Sequence, residues 1–326
     1  PWTFTRAYGS RGRRLVAGLA DAAARSGVRR ADATRALSHF TSLIVEQVTG
    51  RPATACFPTW SDLGAYDDTQ PVPIPDARRV VFVGALERYK NVDGLAAAWR
   101  RVARTLPDAT LVVIGDGSRR AVVDALVADL PRNVVHHPRL APEQVASELD
   151  AARALVLPSW PEGLGRVVLE AFARGRAVVG TDGGGIPDMA THDRDALLVA
   201  PFDTDGLVAA LERVLRDDEL ARRLGAAARG TYDEWRQDEN DFAAAYRSLV
   251  DRVVTQAVLW RLLDLEESDG RRIDRRPGPQ VERRPVERRP VVQPQRHEER
   301  RRPDARPAPA RPNNPNRPHE ERRRPH

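Results

Sequence analysis

The sequence predicts an α/β protein built around a doubly wound parallel sheet. Three observations predict it. From Arg79 to Arg216, short apolar runs rich in β-branched residues alternate with amphipathic segments of helical period, the pattern of strands covered on both faces by crossover helices. The glycine clusters, Gly84, Gly115 with Gly117, Gly163 with Gly165, and Gly183 to Gly185, all follow predicted strands, so they gather on the one rim where such sheets hold ligands. Hydrophobic residues make up 41% of the 326, enough for a sizeable core.

Residues 1–75 form a shorter α/β stretch. They start basic, with Arg6, Arg11, Arg13 and Arg14, and then read as a helix over Leu15 to Arg25, a strand over Thr34 to Leu37, a helix over Phe40 to Val48 and a strand over Thr54 to Phe57. So few units cannot close a sheet, and they are expected to be the remnant of a second, Rossmann-like domain. The start at Pro1 rather than Met fits a missing N-terminal part. Pro71, Pro73 and Pro75 read as the interdomain linker.

In residues 76–236 strands are expected at Arg79 to Val83, Thr110 to Ile114, Val134 to His136, Ala154 to Leu157, Ala177 to Gly180 and Ala196 to Val199. Helices are expected near Val92 to Arg104, Arg119 to Leu130, Pro142 to Ala152, Arg166 to Arg174, Thr204 to Arg216 and Asp218 to Ala228. A long helix over Asp241 to Leu263, in residues 237–265, carries Phe242, Tyr246, Leu249, Val253, Val258 and Leu262. That stripe predicts packing back on the first domain, with Phe242 and Tyr246 in the core. Residues 266–326 repeat Glu-Arg-Arg-Pro units among twelve prolines, with few large apolar side chains, a composition that predicts disorder.

Charge is unevenly spread. From Arg271 to His326 there are 18 Arg and 8 Asp plus Glu, so this tail carries +10 of a total of +6 and the preceding residues stand at −4. Nucleic-acid binding by the folded part is therefore not predicted; the tail reads as a solvated end, or as a contact for anionic lipid headgroups or nucleic acid through charge alone. Cys56 is the only cysteine, which excludes an intrachain disulfide and a cysteine-based metal site. No apolar run is long enough to span a bilayer. A reducing, cytoplasmic setting is expected, with peripheral contact at the inner face of the plasma membrane as a further expectation. Of 52 basic residues only Lys90 is lysine, a drift away from lysine codons suggesting a high-GC bacterium. A lysine kept against that drift is expected to act as the compact point charge that arginine does not mimic.

The stretch from Pro161 to Asp188 concentrates the chemistry. Glu162 sits in a glycine-broken turn, Glu170 follows in the helix, and Gly183 to Gly185 with Pro187 force a turn. A glycine turn feeding a helix start offers unpaired N–H groups and the positive end of the helix dipole to an anion. His136 and His137 read as end-of-strand residues, Gly115 to Gly117 as a plain strand-to-helix turn, and Asp67 with Asp68 as an isolated acidic pair in a loop.

These residues resemble the C-terminal, donor-binding domain of the retaining family 4 glycosyltransferases (glycosyl transferases group 1), over about Ala77 to Trp235. The span Glu162-Gly-Leu-Gly-Arg-Val-Val-Leu-Glu170 looks like the E-x7-E signature, followed by Gly-Gly-Ile-Pro-acid at Gly184 to Asp188. Val113 to Gly117, Ala196 to Pro201 with Asp203, and Phe82 to Leu86 ahead of Lys90 add support. The resemblance implies a GT-B fold and retaining transfer of a hexose from a nucleotide-diphosphate sugar to a glycan or lipid, without a bound metal or other cofactor. It implies that Glu170 accepts ribose hydroxyls, that Glu162 faces the donor sugar, and that N–H groups from Leu164 to Val167, in the Gly163, Leu164, Gly165, Arg166 and Val167 segment, meet the phosphates. Lys90 would supply countercharge for the leaving group, and Arg139 and Leu140 would lie at the base pocket.

The chain departs from the family pattern in two places. Ala85 stands where an arginine is usual, which leaves Arg88 as the candidate second cation; and most of the N-terminal domain, which in the family supplies the acceptor site and a glycine-rich loop, is expected to be missing, Phe57 to Asp62 resembling only the exit of its last strand and lacking the usual Asn-Gly. A non-catalytic nucleotide-sugar-binding fragment, or an interaction protein using its basic tail, is therefore the alternative. An epimerase of similar architecture would lack the paired carboxylates before Gly-Gly-Ile-Pro.

Overall fold

A computed structural model describes residues 11–67 and 70–268. The expectations for Arg6, for Asp68 and for the tail beyond Ser268 lie outside the described residues.

Six parallel strands form the main sheet: β3 (Arg79–Val83), β4 (Thr110–Ile114), β5 (Val134–His137), β6 (Ala154–Leu157), β7 (Ala177–Thr181) and β8 (Ala196–Val199). Their order is β5-β4-β3-β6-β7-β8. The chain therefore builds outward from β3 on one side, returns, and builds outward from β6 on the other. Residue alternation divides each strand between two apolar layers. Val80 and Phe82 enter one with Leu111, Val113 and Val156, while Val81 enters the other with Val112, Leu155 and Leu157. Each such side chain, when fully buried, stabilises the fold by about 1.5–3 kcal/mol.

Helices α4 (Val92–Thr105), α5 (Arg120–Asp129) and α9 (Thr204–Arg216) cover the first layer; α6 (Pro142–Asp150), α7 (Arg166–Ala173) and the short α8 (Ile186–Met189) cover the second. α10 (Asp218–Trp235) serves both. Asp203 caps α9 by accepting from the Gly206 N–H at 2.8 Å. Among the described residues no helix is long and apolar enough to cross a membrane.

Ahead of the sheet come α1 (Arg11–Arg30), β1 (Arg35–Ala36), α2 (His39–Thr49), β2 (Ala55–Cys56) and α3 (Gly64–Asp67). β1 and β2 pair in parallel, Arg35 with Ala55, as a sheet of their own. Ser38 and Thr41 close a capping box on α2, and Gly50 ends it at φ 72°. The long helix α11 (Glu239–Ser268) returns to this part, where Phe242 and Tyr246 meet Phe57 with ring centroids 5.9 and 6.3 Å apart. The Arg35 guanidinium lies 4.5 Å from the Phe57 centroid.

Several expectations are corrected. Neither Phe242 nor Tyr246 is core: Phe242 is half-buried and Tyr246 exposed, because both pack against Phe57 at the edge of the fold, while Leu249 is the buried residue among those described in this helix. α10 runs on past Gly230 because Thr231 and Tyr232 are buried and the Thr231 hydroxyl bonds Asp195 at 2.7 Å, so packing overrides local propensity. Asp67 is not isolated in a loop: it ends α3 and accepts from Arg229 and Arg236 at 2.8 and 3.1 Å. The turn at Gly183 to Pro187 leads into α8, and Arg88–Lys90 form a 3-10 turn.

The proline run Pro71 to Pro75 and the residues flanking it are held by three arginines no more than 3% exposed, Arg153, Arg174 and Arg176. Arg176 donates to the carbonyls of Val72 and Pro73, Arg174 to those of Tyr66 and Gln70, and Arg153 to those of Asp76 and Ala77. Burial pushes the Arg176 pKa down to about 10.

Candidate active site

A cleft of about 530 Å³ opens beyond β3 and β6, where the strand order reverses and open parallel sheets hold their ligands. Its two sides come from segments far apart in sequence. The loop after β3 contributes Gly84, Ala85, Tyr89 and Lys90, and the loop after β6 contributes Glu162 and Gly165, followed by Arg166, Val167 and Glu170 of α7. Pro138, Arg139 and Leu140, which follow β5, close one end.

Lys90 and Glu162 join the two loops. The Nζ of Lys90 donates to Oε2 of Glu162 at 2.5 Å, with the side chains 10% and 13% exposed, and lies 5.2 Å from the Tyr89 ring centroid. The Trp160 N–H donates to the Tyr89 carbonyl at 2.7 Å, holding the same loops together through the backbone. Burial and the nearby Glu162 and Glu87 carboxylates push the Tyr89 hydroxyl pKa up.

The glycine run after β7 supports this loop from behind. The Gly185 N–H donates to the Glu162 carbonyl at 2.8 Å, and a Cβ on Gly185 would overlap the Gly163 carbonyl oxygen. Only glycine permits that approach. A similar constraint holds across the cleft, where a Cβ on Gly115 would overlap the Gly84 carbonyl oxygen.

Glu170 is 4% exposed, and its Oε1 accepts from Arg166 Nε at 3.0 Å. The Tyr66 side chain, from α3, lines the cleft with it. Burial pushes the Glu170 pKa up, opposed first by the charge of Arg166. α7 starts one residue after Gly165, whose φ of 82° lets the chain turn into the helix. Its first-turn N–H groups stand at the cleft edge, where an anion is favoured.

Of the residues singled out in the sequence, Lys90, Glu162, Gly165, Arg166, Val167, Glu170, Arg139 and Leu140 are brought together. Gly163, Leu164 and Arg88 are not. The Gly163 carbonyl accepts from the Ser38 hydroxyl at 2.6 Å, and Leu164 lines a separate cavity with Trp60 and Trp235. Arg88 is exposed and does not line the cleft. Sequence reasoning missed Tyr66, which lies well before the first motif and carries no local signal of its place in the cleft. It also missed Asp188 as a contact between segments: its carboxylate accepts from the His39 N–H at 2.5 Å, capping α2.

Residues 67–231 match the family model described as Glycosyl transferases group 1, half of the chain. The chain belongs to that family. The glycogen synthase of Mycobacterium tuberculosis is 36% identical to this chain over 155 residues, 46% of this chain and 37% of that protein. The D-inositol 3-phosphate glycosyltransferase of Segniliparus rotundus is 30% identical over 182 residues, 53% and 40% of the two chains. The chain thus spans about two fifths of these curated relatives. Among solved structures, sucrose-phosphate synthase from Thermosynechococcus elongatus superposes with a TM-score of 0.60 at 22% identity, covering 81% of this chain and 66% of its own. Anabaena HepE in complex with UDP and glucose gives 0.58 at 18%, covering 70% and 64%. These neighbours share the GT-B fold with the group 1 chain.

Proposed function

We propose that this group 1 chain carries the donor side of a glycosyltransferase that moves a hexose from a nucleotide-diphosphate sugar to a glycan or lipid acceptor with retention of configuration. One observation carries the reading: Lys90 and Glu162 pair across the strand-order switch, beside the start of α7 and the buried Glu170. A glycosyl donor presents three demands in a row, and the cleft has a group for each. The ribose hydroxyls donate to Glu170, and the diphosphate lies against the N–H groups of Arg166 and Val167. Glu162 accepts from sugar hydroxyls near the reacting carbon.

As the glycosidic bond to phosphate breaks, negative charge grows on the leaving oxygen. Lys90 then exchanges part of its contact with Glu162 for that charge. A group aimed at developing charge contributes about 2.7–4 kcal/mol, or roughly 10²–10³ in rate. The acceptor attacks from the same face, its proton passing to the leaving phosphate. The proposed steps call for no metal or other cofactor.

The test is turnover with UDP-, GDP- and ADP-hexoses, with the anomeric configuration of the product read by NMR. Lys90→Ala and Glu162→Ala are each expected to lower kcat about 10²-fold or more; full activity in both would refute the roles. Ala85, with Arg88 turned to solvent, favours a second reading in which the chain binds donor without turnover. Calorimetry with nucleoside diphosphates separates the two. Binding without turnover supports the second, and no binding to any nucleotide excludes both.

A further inference from the structure

We propose that Ser38 is a positioning residue for Glu162: from the segment ahead of the main sheet, its hydroxyl fixes the turn that aims this carboxylate at the donor sugar. This rests on reading the cleft as a nucleotide-sugar site.

Glu162 stands in a turn that side-chain packing does little to hold. Gly163 follows it, and a Cβ placed there would meet nothing within 4 Å, so no neighbour pins the peptide from that side. The backbone is held instead by hydrogen bonds to two successive carbonyls. The Gly185 N–H donates to that of Glu162 at 2.8 Å, and the Ser38 hydroxyl donates to that of Gly163 at 2.6 Å. The first donor follows β7; the second caps α2 and lies 125 residues before its acceptor. Ser38 is 4% exposed, so its bond is made where little water competes for it.

The direction of this bond follows from its surroundings. A hydroxyl has a single proton to give. Ser38 Oγ accepts the Thr41 N–H at 3.1 Å, while the Thr41 hydroxyl gives its own proton to the Ser38 carbonyl at 2.9 Å. The Gly163 carbonyl can only accept, so the Ser38 proton goes there. Two further contacts seat the start of α2 against the same region. The His39 N–H donates to the Asp188 carboxylate at 2.5 Å, and the Phe40 ring centroid lies 6.0 Å from that of Trp160, two residues before Glu162. The hydroxyl is thus placed by contacts other than its own. Without it, the Gly163 peptide regains the freedom of glycine, and Glu162 keeps Lys90 but loses its fixed bearing on the sugar. The N–H groups of Arg166 and Val167 belong to α7 and stay in place.

Calorimetry compares UDP, GDP and ADP with UDP-, GDP- and ADP-glucose in wild type and Ser38→Ala. Affinity for the glucose-bearing form is expected to fall about fivefold, the size of one hydrogen bond, with the plain diphosphate unchanged. Ser38→Thr, which keeps a hydroxyl, is expected to restore it. In a Glu162→Ala background Ser38→Ala is expected to add no further loss. Because Ser38 also caps α2, Thr41→Val is the folding control: it breaks the capping box without touching Gly163, and is expected to lower the unfolding midpoint with both affinities as in wild type. With no ligand present, amide hydrogen exchange at Gly163 to Gly165 is expected to be faster in Ser38→Ala than in Thr41→Val. An equal loss for both nucleotide forms, an equal effect of Thr41→Val, or unchanged exchange in the turn would overturn the proposal. If Glu162→Ala itself leaves the glucose-bearing form bound as before, the role given to Glu162 fails. If wild type binds none of these nucleotides, the nucleotide-site reading falls, and the proposal with it.

Discussion

At the residue scale the cleft holds two carboxylates in different circumstances. Glu162 is compensated by one ammonium at short range, whereas Glu170 is more deeply buried than its partners can offset. For an acid whose folded-state pKa lies above its unfolded value of about 4.5, the charged form is the costly one. The folded state is then favoured below that unfolded pKa, and this advantage is lost as pH rises through the folded value. Glu170→Gln removes the charge while leaving the exposed Arg166 solvated. The expected result near neutral pH is a protein at least as stable as wild type, with its midpoint higher by about 2–4 °C for each kcal/mol recovered, but with ribose recognition lost. Differential scanning calorimetry at pH 4 and pH 7.5 checks this, since the gain should shrink at the lower pH. A fall in midpoint at pH 7.5 would mean that Arg166 outweighs burial.

At the element scale the proline run is held from below. Arg176 is 1% exposed and donates to the carbonyls of Leu149, Val72, Pro73, Arg174, Gly175 and Asp150. Arg176→Met keeps the stem and removes those bonds, leaving carbonyls such as those of Val72 and Pro73 without this donor. A loss of about 3–5 kcal/mol overall is expected, read from the urea midpoint at unchanged slope; a loss below 1 kcal/mol would show that the run is held by its prolines alone. None of this was legible in the sequence, where Arg174 and Arg176 look like ordinary helix-end charges. The strands were legible because Val80 to Val83, Leu111 to Ile114 and Leu155 to Leu157 are continuous apolar runs, which only a sheet covered on both faces explains. The pairing of Lys90 with Glu162 was legible as a shared rim; its distance was not. Tyr66, Ser38 and Asp188 stayed hidden because each acts through a contact made across more than 100 residues of sequence.

At the scale of the whole molecule, charge divides at Arg271. The sequence up to Gly270 stands at −4 and the remainder at +10. At pH 7 and low salt the full chain is expected to be retained on a cation exchanger, and a chain ending at Gly270 to pass through it; retention of the shorter chain would place a basic patch on the compact unit Pro1–Gly270. The same long-range order has a consequence for biosynthesis. β3 and β6 are neighbours in the sheet, yet β4 and β5 are made between them. A nascent chain therefore carries Lys90 through the whole synthesis of one half-sheet with no counterion from the other half. The cleft between the two loops comes into being only once β6 and α7 have left the ribosome and closed against β3.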